Sequence, residues 1–114
     1  MNLPIIVTNS AIPKLMSLVI EVYAITLWPF IFIRDKGNEI TIRHETIHIK
    51  QYNELLVVGF LILYVFDWLK GLIKYRDKEI AYQNIRFEQE AYGNQWDPDY
   101  LESRKRFSWK HYKV

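Results

Sequence analysis

The chain has 114 residues, half of them hydrophobic and 16% aromatic, with a quarter charged and a formal net charge of +2. That length suits a single domain, 1–114, built on one core. So small a net charge does not argue for nucleic acid, no RNA- or DNA-binding motif is present, and no nucleic-acid partner is expected. There are no cysteines, which rules out disulfides and thiolate ligands and leaves histidine plus carboxylate as the transition-metal chemistry.

Residues 1–10 read as a short extended lead-in closed by a turn, without the basic start and small-residue cleavage site of a secretory signal. From Ala11 to Ile33 the chain is mostly apolar and long enough to suggest a membrane span. Pro13, Lys14, Glu21 and Pro29 argue against one clean spanning helix. Val22 to Ile33 is rich in β-branched and aromatic residues and reads as one or two strands, with Pro29 marking an edge or a bulge. Arg34 to Asn38 is a polar turn.

A helix is expected from Glu39 or Ile40, since no glycine or proline interrupts Ile40 to Val58. It carries His44-Glu-Thr-Ile-His48. At about 3.6 residues per turn, positions four apart lie on one face, so both imidazoles can reach a single metal. Zinc is the ion that this spacing suits, and Glu45 falls beside the metal, where a general base for activated water is needed. Two of the three histidines are used here, while His111 lies in a basic aromatic tail.

After Glu54 come twelve uncharged residues, Leu55 to Phe66, then Asp67 to Lys74. Twelve are too few for a bilayer of about 30 Å. The segment is expected to be a buried core helix, or one partly sunk in a membrane interface with Trp68 and Lys70 at the water boundary. Membrane contact through 55–73 is favoured, because a small domain has little protein with which to cover an apolar helix. Asp77 is a plausible cap for a helix from Lys78 to Tyr92 that stops at Gly93-Asn94. The tail from about Tyr100 to Val114 is expected to pack through Phe107, Trp109 and Tyr112, or to meet anionic lipid headgroups.

A catalytic zinc takes three protein ligands, and here the third must be a carboxylate. Glu88 and Glu90 are the candidates. Glu88 shares a helix face with Ala81, Ile85 and Ala91, a core-facing stripe, whereas Glu90 lies on a face shared with Gln83 and Arg86, expected to meet solvent. Helical phase favours Glu88 and leaves Glu90 open.

His44-Glu-x-x-His48 followed by Glu88-x-x-Ala91 resembles the gluzincin metallopeptidases, at their minigluzincin end. Trp28-Pro-Phe-Ile-Phe-Ile-Arg34, His44-Glu-x-Ile-His-Ile-Lys-Gln51, Phe87-Glu-x-Glu-Ala-Tyr92 and Asp99-Tyr-Leu-x-x-Arg-Lys105 together resemble a set of short bacterial His-Glu-x-x-His proteins. The resemblance implies a zinc site of His44, His48 and Glu88 with Glu45 as base, and a strand before the active helix that could pair with an extended peptide substrate. One departure stands out: the family's acid after Glu-x-x-Ala, which often braces a histidine, is Tyr92 here, and Glu90 or Glu54 is left to substitute.

The fold expected is therefore α+β and predominantly helical: short N-terminal edge strands, a metal-bearing helix, an apolar connecting helix and a returning helix. The function expected is zinc-dependent hydrolysis of a peptide or protein substrate. Tyr92, Tyr52 and Arg43 are candidate donors to the oxyanion. The alternative is a non-catalytic small subunit of a bacterial membrane or envelope complex. A membrane-associated location is expected, with the cytoplasm as the alternative. A carboxylate di-iron bundle would need a second Glu-x-x-His, which the sequence lacks.

Overall fold

A computed structural model describes residues 4–13, 24–34 and 36–114. The expectations for Lys14, Glu21 and Val22 fall outside these residues. Three short strands, β1 (Ile5–Val7), β2 (Ala24–Leu27) and β3 (Phe30–Ile33), form a sheet in the order β1-β3-β2. β3 runs parallel to β1 and antiparallel to β2. The lead-in is thus a strand of the sheet. Pro29 marks neither an edge nor a bulge; it sits with Trp28 in the turn between β2 and β3, where its missing N–H costs the ladder nothing. Its carbonyl accepts from Ile5 N at 2.8 Å. With a side-chain period of two, β3 turns Ile31 and Ile33 into the core while Phe30 stays exposed.

Gly37 lets the chain turn tightly after β3. It has φ of 74°, and a Cβ there would meet Ile33 Cδ1 at 2.8 Å. Asn38 then caps α1 (Glu39–Tyr75), its side chain accepting from Thr41 N at 2.9 Å. Ile49, with Ile42 beside it, packs on the buried isoleucines of β3.

A straight helix of this length would run about 55 Å, yet the longest dimension of the molecule is 38 Å. The difference is resolved at Leu56, whose φ of 60° and ψ of 167° interrupt the helix. The Tyr52 and Phe60 rings stack with centroids 3.9 Å apart, although eight helical residues would separate them by about 12 Å. The metal-bearing and apolar helices are therefore two limbs of α1, and the second doubles back over the first.

Arg76 closes α1 in the left-handed region, and Asp77 caps α2 (Lys78–Gln83) by accepting from Glu79 N and Ile80 N. Gly71 makes the contact between α1 and α2 close: a Cβ there would lie 3.0 Å from Ala81 Cα. The single helix expected from Lys78 to Tyr92 is divided. Asn84 Nδ2 takes the Ile80 carbonyl at 2.8 Å, Ile85 is extended, and α3 (Arg86–Asn94) starts afresh. Asp67, turned inward from α1, receives Arg86 N and both arms of its guanidinium, which fixes the start of α3.

The tail returns through α4 (Tyr100–Ser103) and a 3-10 turn, Ser108–His111, and packs on α3. Buried Trp109 meets Phe87 at 5.1 Å, with Phe107 beside it. His111 is exposed. By length and composition α1 could cross a membrane: its most apolar window has a mean hydropathy of 2.0 and only 17% of it is buried. Trp68 is half-buried against the core and points its indole N–H at Lys78 O.

Candidate metal centre

His44, Glu45 and His48 are buried on the first limb of α1, on the side that faces α3. Each offers a ligand atom within 4.8 Å of the others, so the cluster could hold a metal ion. Glu88, in the first turn of α3, comes in from the other side. Its Oε1 is 3.0 Å from His44 Nε2 and 3.1 Å from His48 Nε2. Glu45 Oε2 lies 3.5 Å from His44 Nε2 and 3.9 Å from His48 Nε2.

The remaining ring nitrogens decide what the cluster can do. Gln95 Oε1 lies 2.7 Å from His44 Nδ1, and Gln51 Oε1 lies 2.7 Å from His48 Nδ1. Gln51 cannot turn round freely, because its Nε2 donates to Phe87 O and to Glu90 Oε1, both of which only accept. Its oxygen therefore faces His48, and Nδ1 carries the proton. The Nε2 lone pair of a neutral His48 then points at Glu88 and the space between the histidines, which is what metal ligation requires. Two nitrogens and a carboxylate make a donor set that zinc and other divalent transition ions accept.

Glu90 is fully buried, contrary to the solvent face expected for it. The break at Asn84–Ile85 rephases α3, and the tail supplies a cation. Arg104 pairs with Glu90 and reaches Glu54 at 2.7 Å, while Tyr100 donates to Glu90 at 2.8 Å. Neither Glu90 nor Glu54 touches a histidine; Gln51 and Gln95 occupy the positions that a bracing acid would take. Glu88 is steadied by the Tyr64 hydroxyl at 2.7 Å. Tyr64 reaches it only because α1 doubles back.

With only protein groups around them, the charges sort clearly. Burial disfavours the His48 cation, but Glu88 and then Glu45 outweigh it and push its pKa up to about 10. Burial also raises Glu88, and the two histidines overcome this to hold it well below the usual carboxylate range. For Glu45 burial prevails over the histidines, and its carboxyl is raised.

A cleft of about 390 Å³ opens onto His44 and Glu45, walled by Ala24 of β2, Thr41, Tyr82, Tyr92 and Gln95. β2 contributes further through Thr26, whose hydroxyl is 3.1 Å from Glu45 O and 3.3 Å from Glu45 Oε1. Of the candidate donors, Tyr52 is engaged by Thr26 O and Arg43 by Glu39 and Gln95 O. Tyr92 faces the cleft, its ring 4.4 Å from that of His44 and its hydroxyl 3.3 Å from that of Tyr82. Its pKa is pushed up to about 12 by burial and then by Glu88. The strand next to the active helix, β3, is paired on both sides, so the sheet edge nearest the cleft is β2.

Gln51 was legible in principle, three residues after His48 on the same helix. Gln95, Tyr64 and Thr26 carry no local signal, and Arg104 stands out only as part of the Asp99–Lys105 pattern. No family model matches the chain, and no curated protein or solved structure matches it.

Proposed function

We propose that the chain is a small zinc-dependent hydrolase of peptide bonds, similar to the minigluzincins, with His44, His48 and Glu88 holding the ion. The observation that carries this reading is the convergence of His44 Nε2 and His48 Nε2 on Glu88 Oε1, at 3.0 and 3.1 Å, with both Nδ1 atoms bonded to amide oxygens. A zinc ion held there polarises a carbonyl and lowers the pKa of water towards about 7. Glu45 is the general base: Thr26 orients its carboxyl, and burial raises its proton affinity. It takes a proton from the attacking water and returns it to the leaving amine. Tyr92 stays protonated at neutral pH and offers its hydroxyl to the developing oxyanion from the wall of the cleft.

A second reading, a non-catalytic subunit of a bacterial membrane or envelope assembly that keeps the ion for structure, is supported by the exposed apolar face of α1. One set of measurements separates the two. The purified chain should carry about one zinc, lost in His44→Ala/His48→Ala and weakened in Glu88→Ala. Glu45→Gln should keep zinc and lose cleavage of a fluorogenic peptide mixture. Cleavage by Glu45→Gln at the wild-type rate would sink the mechanism. Zinc without any cleavage, in a chain that purifies only with partners, would establish the subunit reading.

A further inference from the structure

The second limb of α1 is apolar on both sides, with Phe60, Leu63 and Trp68 packing inward on the core. Asp67, 1% exposed, and the Tyr64 hydroxyl face the protein, while the outer face carries Leu56, Val58, Leu61, Ile62, Val65, Phe66, Leu69 and Ile73. These recur at helical spacing, with Ile62 62% and Ile73 80% exposed. A helix packed on a core with water outside carries polar residues on its outer face. From Leu56 to Leu69, about 20 Å of helix, every exposed position is aliphatic or phenylalanine.

Charge complementarity points to what covers this face. Between Leu55 and Arg76 the one acid is Asp67, which is buried and paired with Arg86. Every charge left on the surface of the limb is therefore positive, Lys70 and Lys74, with Arg76 and the exposed cap Asp77 following at its end. A cationic rim beside an apolar stripe matches an anionic bilayer surface, whereas a second copy packed in parallel would bring the same cations against themselves. The opposite side of the limb is fixed to α2 and α3 through Gly71 and Asp67, so lipid can reach one side alone.

The apolar surface also extends beyond the helix. Trp28 donates to Asn53 at 3.0 Å, which sets the exposed hairpin tip of Leu27, Trp28 and Phe30 near the Leu56 break. At that break the chain keeps a leucine, 76% exposed, in a backbone region that glycine occupies at little cost. We infer that the chain docks flat on an anionic phospholipid bilayer through the outer face of this limb, with Lys70 and Lys74 among the headgroups. This surface is separate from the metal centre, and its use does not depend on catalysis.

Flotation of the full chain with phosphatidylcholine vesicles, with and without phosphatidylglycerol, tests the inference. Wild type should float with the anionic vesicles and remain largely below the neutral ones, with binding falling as salt rises. Lys70→Glu/Lys74→Glu should lower the partition by roughly tenfold or more. Ile62→Glu/Phe66→Glu should abolish it while keeping the wild-type melting profile. Failure of wild type to float with anionic vesicles at low salt overturns the inference without any variant. So does a vesicle-indifferent dimer that Ile62→Glu/Phe66→Glu splits into monomers, which would make a second copy the occupant.

Discussion

Gln51 and His48 are joined by a contact of 2.7 Å between the glutamine Oε1 and the histidine Nδ1, and the orientation of that amide is set from behind by Glu90 and the Phe87 carbonyl. The charge of Glu90, held by Arg104, thus fixes which nitrogen of His48 is free. Glu90→Gln removes one of the two acceptor-only partners and leaves the Phe87 carbonyl alone to hold the Gln51 amide, so the amide turns more readily, placing N–H against Nδ1 and a proton on Nε2. Zinc affinity should fall by about 10–100-fold, measured by competition with a chromogenic chelator. An unchanged affinity in a folded variant would show that Glu90 plays no part in setting the tautomer.

Arg104 should matter more for stability than its place in the tail suggests. It is the shared partner of Glu54 and Glu90, and all three side chains are at most 5% exposed. Arg104→Met would leave two carboxylates buried without their cation, a loss of about 3–5 kcal/mol. Denaturant unfolding checks this. A loss below about 1 kcal/mol, the range of exposed ion pairs, would mean that the network is solvated.

The pH dependence follows from His48. In chain stripped of metal by a chelator its pKa is raised from 6.5 to about 10, so the folded state binds more protons than the unfolded one between those values. The stabilisation is complete below about 6.5 and is lost as pH rises through about 10. Zinc affinity moves the opposite way, since the ion must displace the His48 proton, and should climb about tenfold per pH unit across that window. Melting curves with chelator and zinc competition at several pH values measure the two trends. A zinc affinity flat with pH would mean that His48 is already neutral.

Leu56→Gly should stabilise the fold. The conformation at this residue, φ 60° and ψ 167°, costs a side chain roughly 1–3 kcal/mol, against about 1 kcal/mol for the extra freedom of glycine in the unfolded chain. Leu56 is largely exposed, so little burial is lost. A higher melting temperature is expected. A lower one would mean that the leucine side chain supports the reversal itself.

Much of the centre was legible because it is local. Four-residue spacing puts His44 and His48 on one helical face whatever surrounds them, and Asp77 caps a helix from chemistry within three residues. The α+β class followed from the same short-range patterns, β-branched residues before Arg34 and helical periodicity after Glu39. Helical phase also singled out Glu88, but the same reasoning sent Glu90 to solvent, because it assumed one unbroken helix from Lys78.

The tertiary structure decided what depends on where the chain turns. No glycine or proline marks position 56, yet the reversal there brings Tyr64 to Glu88 and Phe60 to Tyr52. The break at Asn84–Ile85 swings Glu90 inward, where it becomes tolerable only because Arg104, fourteen residues on, arrives to neutralise it. Spacing along a helix fixes neighbours one turn apart through backbone geometry alone. Contacts between limbs depend on packing and on charges that must find partners once water is excluded, and those are properties of the folded whole.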